Sequence, residues 1–138
     1  MNVQRGIIKY ACLRIALQRS TVRSRSAPPS KRLFGQVGYF HKFAGKEIAD
    51  KRPLDRYVAE SKRLLGVLDT RLTGREWMIG DDYGIADIAT IGRVRNQITF
   101  YEAKDLVSFD SLTQVPSWLE RALARPAVQR GLMIPGRN

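Results

Sequence analysis

Asp82-Tyr83-Gly84-Ile85-Ala86-Asp87-Ile88-Ala89 is the stretch that decides the fold. Asp87 stands three residues after Gly84, where an apolar run begins. That spacing belongs to a capping box, in which an N-cap hydroxyl accepts the N3 amide and the N3 carboxylate accepts the N-cap amide. Gly84 has no side chain, so only half the device remains. Asp87 still reads as the acceptor for the Gly84 N–H and as a negative charge at the positive helix end. A structural cap is therefore the preferred role for Gly84 and Asp87, ahead of a catalytic acid or base. Ile85, Ala86, Ile88, Ala89, Ile91 and Val94 follow, with no charge between Asp87 and Arg93. A helix apolar on nearly every side is a buried one. The sequence thus predicts a central helix with others packed round it.

Working outward, residues 54–72 give the clearest amphipathic pattern. Leu54, Tyr57, Val58, Ser61, Leu64, Leu65, Leu68 and Leu72 fall on one stripe, with Arg56, Glu60, Lys62, Arg63, Asp69 and Arg71 off it. Pro53 suits a helix start and Gly74 a left-handed end. Upstream, Phe34 to Ala44 places Val37, Tyr39, Phe40, Phe43 and Ala44 at helical spacings, with Gly35 and Gly38 weakening the helix. Downstream, a loop spans roughly Tyr101 to Gln114. Pro116 then opens a helix with Trp118, Leu119, Ala122 and Leu123, and a last short one runs from Ala127 to Leu132. No alternating strand pattern or repeat is visible. The fold class is all-α.

Charge is unevenly placed. The 138 residues carry a formal +11. Residues 1–46 hold ten basic residues and no acidic one, whereas residues 47–138 hold the other 14 basic and all 13 acidic residues, a net +1. The helical part is nearly neutral, which disfavours nucleic acid as its partner. No aromatic residue interleaves Arg19, Arg23, Arg25 and Arg32, so base stacking is unsupported. No apolar run approaches the ~20 residues that span a bilayer. Cys12 is the single cysteine and His41 the single histidine, which leaves no disulfide within the chain and no structural metal site. A catalytic role for either is disfavoured.

Residues 1–33 read as a basic leader, 34–135 as the helical domain and 136–138 as a tail. Within the leader, Ile7, Ile8, Tyr10, Ala11, Cys12, Leu13, Ile15, Ala16 and Leu17 form an apolar stretch interrupted by Lys9 and Arg14. Residues 20–32, rich in Ser, Arg and Pro, predict disorder or a loose linker. The stretch to about Ser30 reads as a frame-shift remnant or, secondarily, as a mitochondrial transit peptide. The cytoplasm is the default compartment.

Several segments, in order, carry a resemblance. Trp77-Met-Ile-Gly-Asp-Asp-Tyr-Gly-Ile-Ala-Asp-Ile-Ala89 resembles the W-x-x-G-x-x-[YF]-[ST]-x-A-D signature of the helical C-terminal domain of glutathione S-transferases. Arg56-Tyr57 with Glu60, Arg63-Leu64-Leu65 and Val67 to Leu72 resembles that domain's long second helix. Pro116-Ser-Trp118 and Arg125-Pro126-Ala127-Val128 resemble its late elements. Phe34-Gly-Gln-Val-Gly-Tyr-Phe40 is similar to the nu-class, disulfide-reductase-like branch. The resemblance covers about residues 34–135, and it departs at Gly84, where the family has Ser or Thr.

The resemblance implies glutathione as co-substrate, no metal, and a hydrophobic electrophile or disulfide as second substrate. It implies that Tyr39, Phe40 and Phe43 line an apolar pocket and that Gln36 and Arg56 make polar contacts to glutathione. It assigns no catalytic residue here. The family's thiol-activating hydroxyl or thiol and its cis-Pro loop belong to an N-terminal thioredoxin-like domain, which residues 1–33 are too short to form. The chain is therefore expected to be truncated and inactive alone, with a homodimer or a separate thioredoxin-like domain as its partner. The alternative is a non-catalytic helical interaction module.

Overall fold

The computed structural model describes residues 29–134, and the expectations for the leader before Pro29, Cys12 included, and for the tail lie outside them. Five α-helices follow in order: α1 Pro29–Gly38, α2 Arg52–Leu72, α3 Ile85–Ile98, α4 Val115–Leu123 and α5 Pro126–Leu132. A π-helical turn, Tyr39–Phe43, continues α1, and a 3-10 turn, Phe109–Ser111, lies in the loop before α4. Among the described residues there is no strand. One isolated antiparallel bridge closes the turn Trp77 to Gly80.

α1 starts at Pro29, inside the stretch expected to be a linker. Proline is tolerated in a first helical turn, where its missing N–H has no intrahelical partner. α2 obeys its stripe: Ser61, Leu64, Leu65, Leu68 and Leu72 are buried. Each such leucine contributes roughly 1.5–3 kcal/mol when fully buried. Gly74 takes φ +69°, the left-handed region that glycine enters without a Cβ penalty.

The core joins α2 leucines to Trp77, Met78, Ala86, Ile91, Val94, Val107, Phe109, Val115, Trp118, Leu119 and Ala122. α3 lies in it, but on one side only. Ala86, Ile91 and Val94 are buried, whereas Ile85 and Ile88 are 65% and 60% exposed. The expectation of burial all round is therefore corrected. α1 and α4 pack against one side of α3, and no described element covers the stripe Ile85, Ile88, Ala89 and Gly92.

Two aspartates lock the helices in place. Asp87 is fully buried and accepts three N–H groups: Gly84 at 3.1 Å, Met78 at 3.1 Å and the Trp118 indole at 2.8 Å. The half capping box is thus also the joint between α3, the 77–80 turn and α4. Asp69, on α2, accepts the backbone N–H groups of Thr113, Gln114 and Val115 at 3.2, 2.7 and 2.9 Å, and the Thr113 hydroxyl at 3.0 Å. It caps α4 from a neighbouring helix, satisfying the first helical amide, Val115, which has no intrahelical partner, and the two amides just before it. Burial alone would raise the Asp69 carboxyl, but these donors outweigh it and hold the group below its ordinary value. Arg71 donates to the Met78 carbonyl at 2.8 Å and Arg121 to the Glu76 carbonyl at 2.7 Å, clamping the loop before α3 from both sides.

Candidate functional site

The predicted substrate residues cluster where α1 gives way to its π-helical turn. The Ala44 N–H donates to the Tyr39 carbonyl at 2.8 Å, five residues back, which widens the helix. Such turns are frequent at functional sites. The chain then folds tightly: a Cβ on Gly45 would sit 2.6 and 2.7 Å from the carbonyl oxygens of His41 and Phe40. Glycine is required there. The wide turn swings its aromatic side chains to the surface, and Tyr39 and Phe43 are 50% and 59% exposed.

Phe40 is half-buried and stacks on Tyr57 of α2, with centroids 5.7 Å apart and planes 17° from parallel. Tyr39 meets Phe40 edge to face at 5.2 Å. These contacts bring the π turn and α2 into one aromatic shelf. Arg56 precedes Tyr57 and is exposed. Its charge acts on Glu60, one turn further, whose carboxyl is held below its ordinary value chiefly by hydrogen bonds from Arg63 at 2.8 and 2.6 Å. Gln36, half-buried on α1, lies one turn before Phe40.

Phe43 belongs to a second group. It faces Phe100 at 6.2 Å, and Phe100 meets Tyr101 at 5.4 Å, just past the end of α3. Lys42 ties this group to the π turn: its ammonium donates to the Phe100 carbonyl and to Glu102, each at 2.7 Å, and sits 5.3 Å from the Phe100 ring centre. That hydrogen bond holds the Glu102 carboxyl below its ordinary value. Beneath, Phe34, Gly35, Arg93, Asn96 and Tyr101 line a cleft of about 180 Å³ between α1 and α3.

The structure thus groups Tyr39 and Phe40 with Tyr57, leaves Arg56 exposed one position before Tyr57 on α2, and joins Phe43 to Phe100 instead. Tyr57, Lys42, Phe100 and Tyr101 were missed as site residues. Tyr57 was read as part of the buried stripe, and the Lys42 contacts cross 58 and 60 residues, beyond any local pattern. Gly38 was a usable signal: the Tyr101 ring packs so closely on it that a Cβ would lie 2.3–2.6 Å from ring carbons. No group of three or more His, Cys, Asp or Glu able to hold a metal exists among the described residues, and none of their helices is long and apolar enough to cross a membrane.

This geometry meets known proteins in one family. The model of the glutathione S-transferase C-terminal domain matches residues 34–126. The disulfide-bond oxidoreductase YghU of Escherichia coli (strain K12) is 33% identical over 108 residues, which are 77% of this chain and 37% of that protein. A crystal structure of glutathione transferase from Pseudomonas putida, with one glutathione disulfide bound per subunit, superposes with a TM-score of 0.82 at 48% identity. It covers 99% of this chain and 54% of the other. A family member from Pseudomonas fluorescens pf-5, with two glutathione bound, gives 0.79 at 47% identity, covering 98% and 54%. The chain belongs to the glutathione S-transferase family, through its C-terminal helical domain, and sits with the disulfide-reductase-like branch. It spans about half the length, or less, of the relatives just named.

Proposed function

We propose that this chain supplies the second-substrate wall and part of the glutathione contact of a glutathione-dependent thiol transferase or disulfide reductase. The observation that carries the reading is the Phe40–Tyr57 stack, which joins the π-helical turn to α2 next to Arg56 in the chain. An apolar electrophile or disulfide lies on Tyr39, Phe40 and Phe43, while Arg56 and Gln36 meet the carboxylates and amides of glutathione. An exposed arginine suits this task because its planar fork pairs with a carboxylate through two hydrogen bonds.

The chemistry needs a thiolate, so the glutathione thiol must lose its proton near neutral pH. In the family that task falls to the thioredoxin-like half. We therefore read the 138 residues as inactive alone, working as a homodimer or beside a thioredoxin-like domain, in the cytoplasm. The support is the span of the matches, which falls on the helical half of longer relatives. The exposed Ile85 and Ile88 favour a second reading, a non-catalytic interaction module, because they leave an apolar face open.

Binding of an S-alkyl glutathione, followed by quenching of intrinsic fluorescence, tests the site. Phe40→Ala and Arg56→Ala should each weaken binding about tenfold, the ~1.4 kcal/mol of a lost apolar or charged contact. Unchanged binding in both variants would remove the site.

A further inference from the structure

The cleft of about 180 Å³ between α1 and α3 has no part in the function proposed above. Its lining is mixed. Phe34, buried, and Tyr101, half-buried, bring two aromatic rings to it. Arg93 and Asn96, three residues apart on α3, bring a guanidinium and an amide to one helix face. The lining residues carry one cation and no acidic group.

The walls are held in place. Tyr101 packs against Gly38, where an added Cβ would lie 2.3–2.6 Å from ring carbons. Lys42 holds the neighbouring Phe100 by its carbonyl at 2.7 Å. Gly35, on the α1 side, keeps the cleft open: an added Cβ there meets nothing within 4 Å. Gln97 follows Arg93 by one helical turn and is fully buried. Neither its amide oxygen nor its amide nitrogen finds a hydrogen-bond partner among the described residues. An unpaired buried amide is costly, and a polar group entering one turn away on the same stripe can complete it.

We propose that the cleft binds a single-ring aromatic carboxylate. Size selects the ring. An apolar cavity of about 150 Å³ takes benzene, which leaves room here for one small substituent. Charge selects the substituent. A guanidinium pairs with a carboxylate through a planar fork, and the Asn96 amide can donate to the same oxygens. Arg93 also has a contact within the protein, and its five N–H donors suffice for both. The Phe34 and Tyr101 rings favour an aromatic body over an aliphatic one. This site is separate from the shelf of Tyr39, Phe40 and Tyr57, and it does not depend on whether the chain handles glutathione.

Titration of the full 138-residue chain with benzoate, followed by NMR, tests the site. Benzoate should shift the Gly35 backbone signal and the Asn96 side-chain amide, with a Kd of roughly millimolar order for so few non-hydrogen atoms. Benzamide has the same shape without the charge, and should bind the unaltered chain about tenfold more weakly. Arg93→Gln should weaken benzoate by about the same factor. Gly35→Leu grows into the cleft and should abolish the Asn96 shift. Gly66→Leu, where an added Cβ also meets nothing within 4 Å, should leave it intact. Equal binding of benzoate and benzamide, or binding undiminished in Gly35→Leu, would overturn the proposal. Benzoate shifts confined to Phe40 and Arg56 would overturn it too, placing the carboxylate at the glutathione contact instead.

Discussion

The Trp118 indole N–H donates to the Asp87 carboxylate at 2.8 Å, across 31 residues of sequence, with both side chains wholly buried. The bond turns a helix cap into the joint of the domain. Asp87 would be an intolerable buried charge without its donors, and the 77–80 turn and α4 supply two of the three. Trp118→Phe should cost about 2–4 kcal/mol, from one lost hydrogen bond to a buried carboxylate oxygen that keeps only the Met78 N–H, and from a lost indole edge. Asp87→Ala should cost more, because two buried N–H groups lose their partner. Urea unfolding should show the double variant losing less than the sum.

Asp69 predicts an acid limit. Its folded pKa is below the unfolded value, so the stability it gives is present above the ordinary carboxylate range. That stability is lost as pH falls below about 4 and through the folded pKa. Asp69→Asn should lower stability at neutral pH and flatten the fall between neutral and acid conditions. Denaturant midpoints at a series of pH values measure both effects.

Glycine substitutions should separate two opposing terms. Replacing a helical glycine by alanine gains about 0.5–1 kcal/mol where space allows. At Gly66 a Cβ meets nothing within 4 Å, so Gly66→Ala should raise Tm. At Gly38 it would overlap the Tyr101 ring at 2.3–2.6 Å, and overpacking of that kind costs about 1–3 kcal/mol. The clash wins, so Gly38→Ala should lower Tm, and Tyr101→Ala should relieve much of the loss.

The vacant half of the capping box can be refilled. Gly84 has extended φ and ψ of −135° and −178°, and the nearest atom to an added Cβ is 4.0 Å away. Gly84→Ser should therefore stabilise by a few tenths of a kcal/mol, the usual Ser–Gly difference at an N-cap. Thermal unfolding in triplicate resolves that change.

Much of this was legible in local pattern. The leucine stripe of α2, the Gly74 stop and the Gly84–Asp87 spacing each report on residues three or four apart, which one helix turn brings together. What stayed hidden was long-range. Nothing near Asp87 announces Trp118, and nothing near Asp69 announces the amides of Thr113 to Val115. Ile85 and Ile88 misled because apolar character marks a face that some partner covers, without saying whether the partner is another helix of the domain. The aromatic shelf was half visible: Tyr39 and Phe40 stood out, but Tyr57 looked like core until Phe40 was seen stacked on it.

The most direct measurement of the functional account is glutathione-dependent thiol conjugation and disulfide reduction by the purified 138-residue chain, with and without a thioredoxin-like half from a relative. The account predicts rates at the uncatalysed background for the chain alone. Turnover by the chain alone, at rates that scale with its concentration, would contradict it.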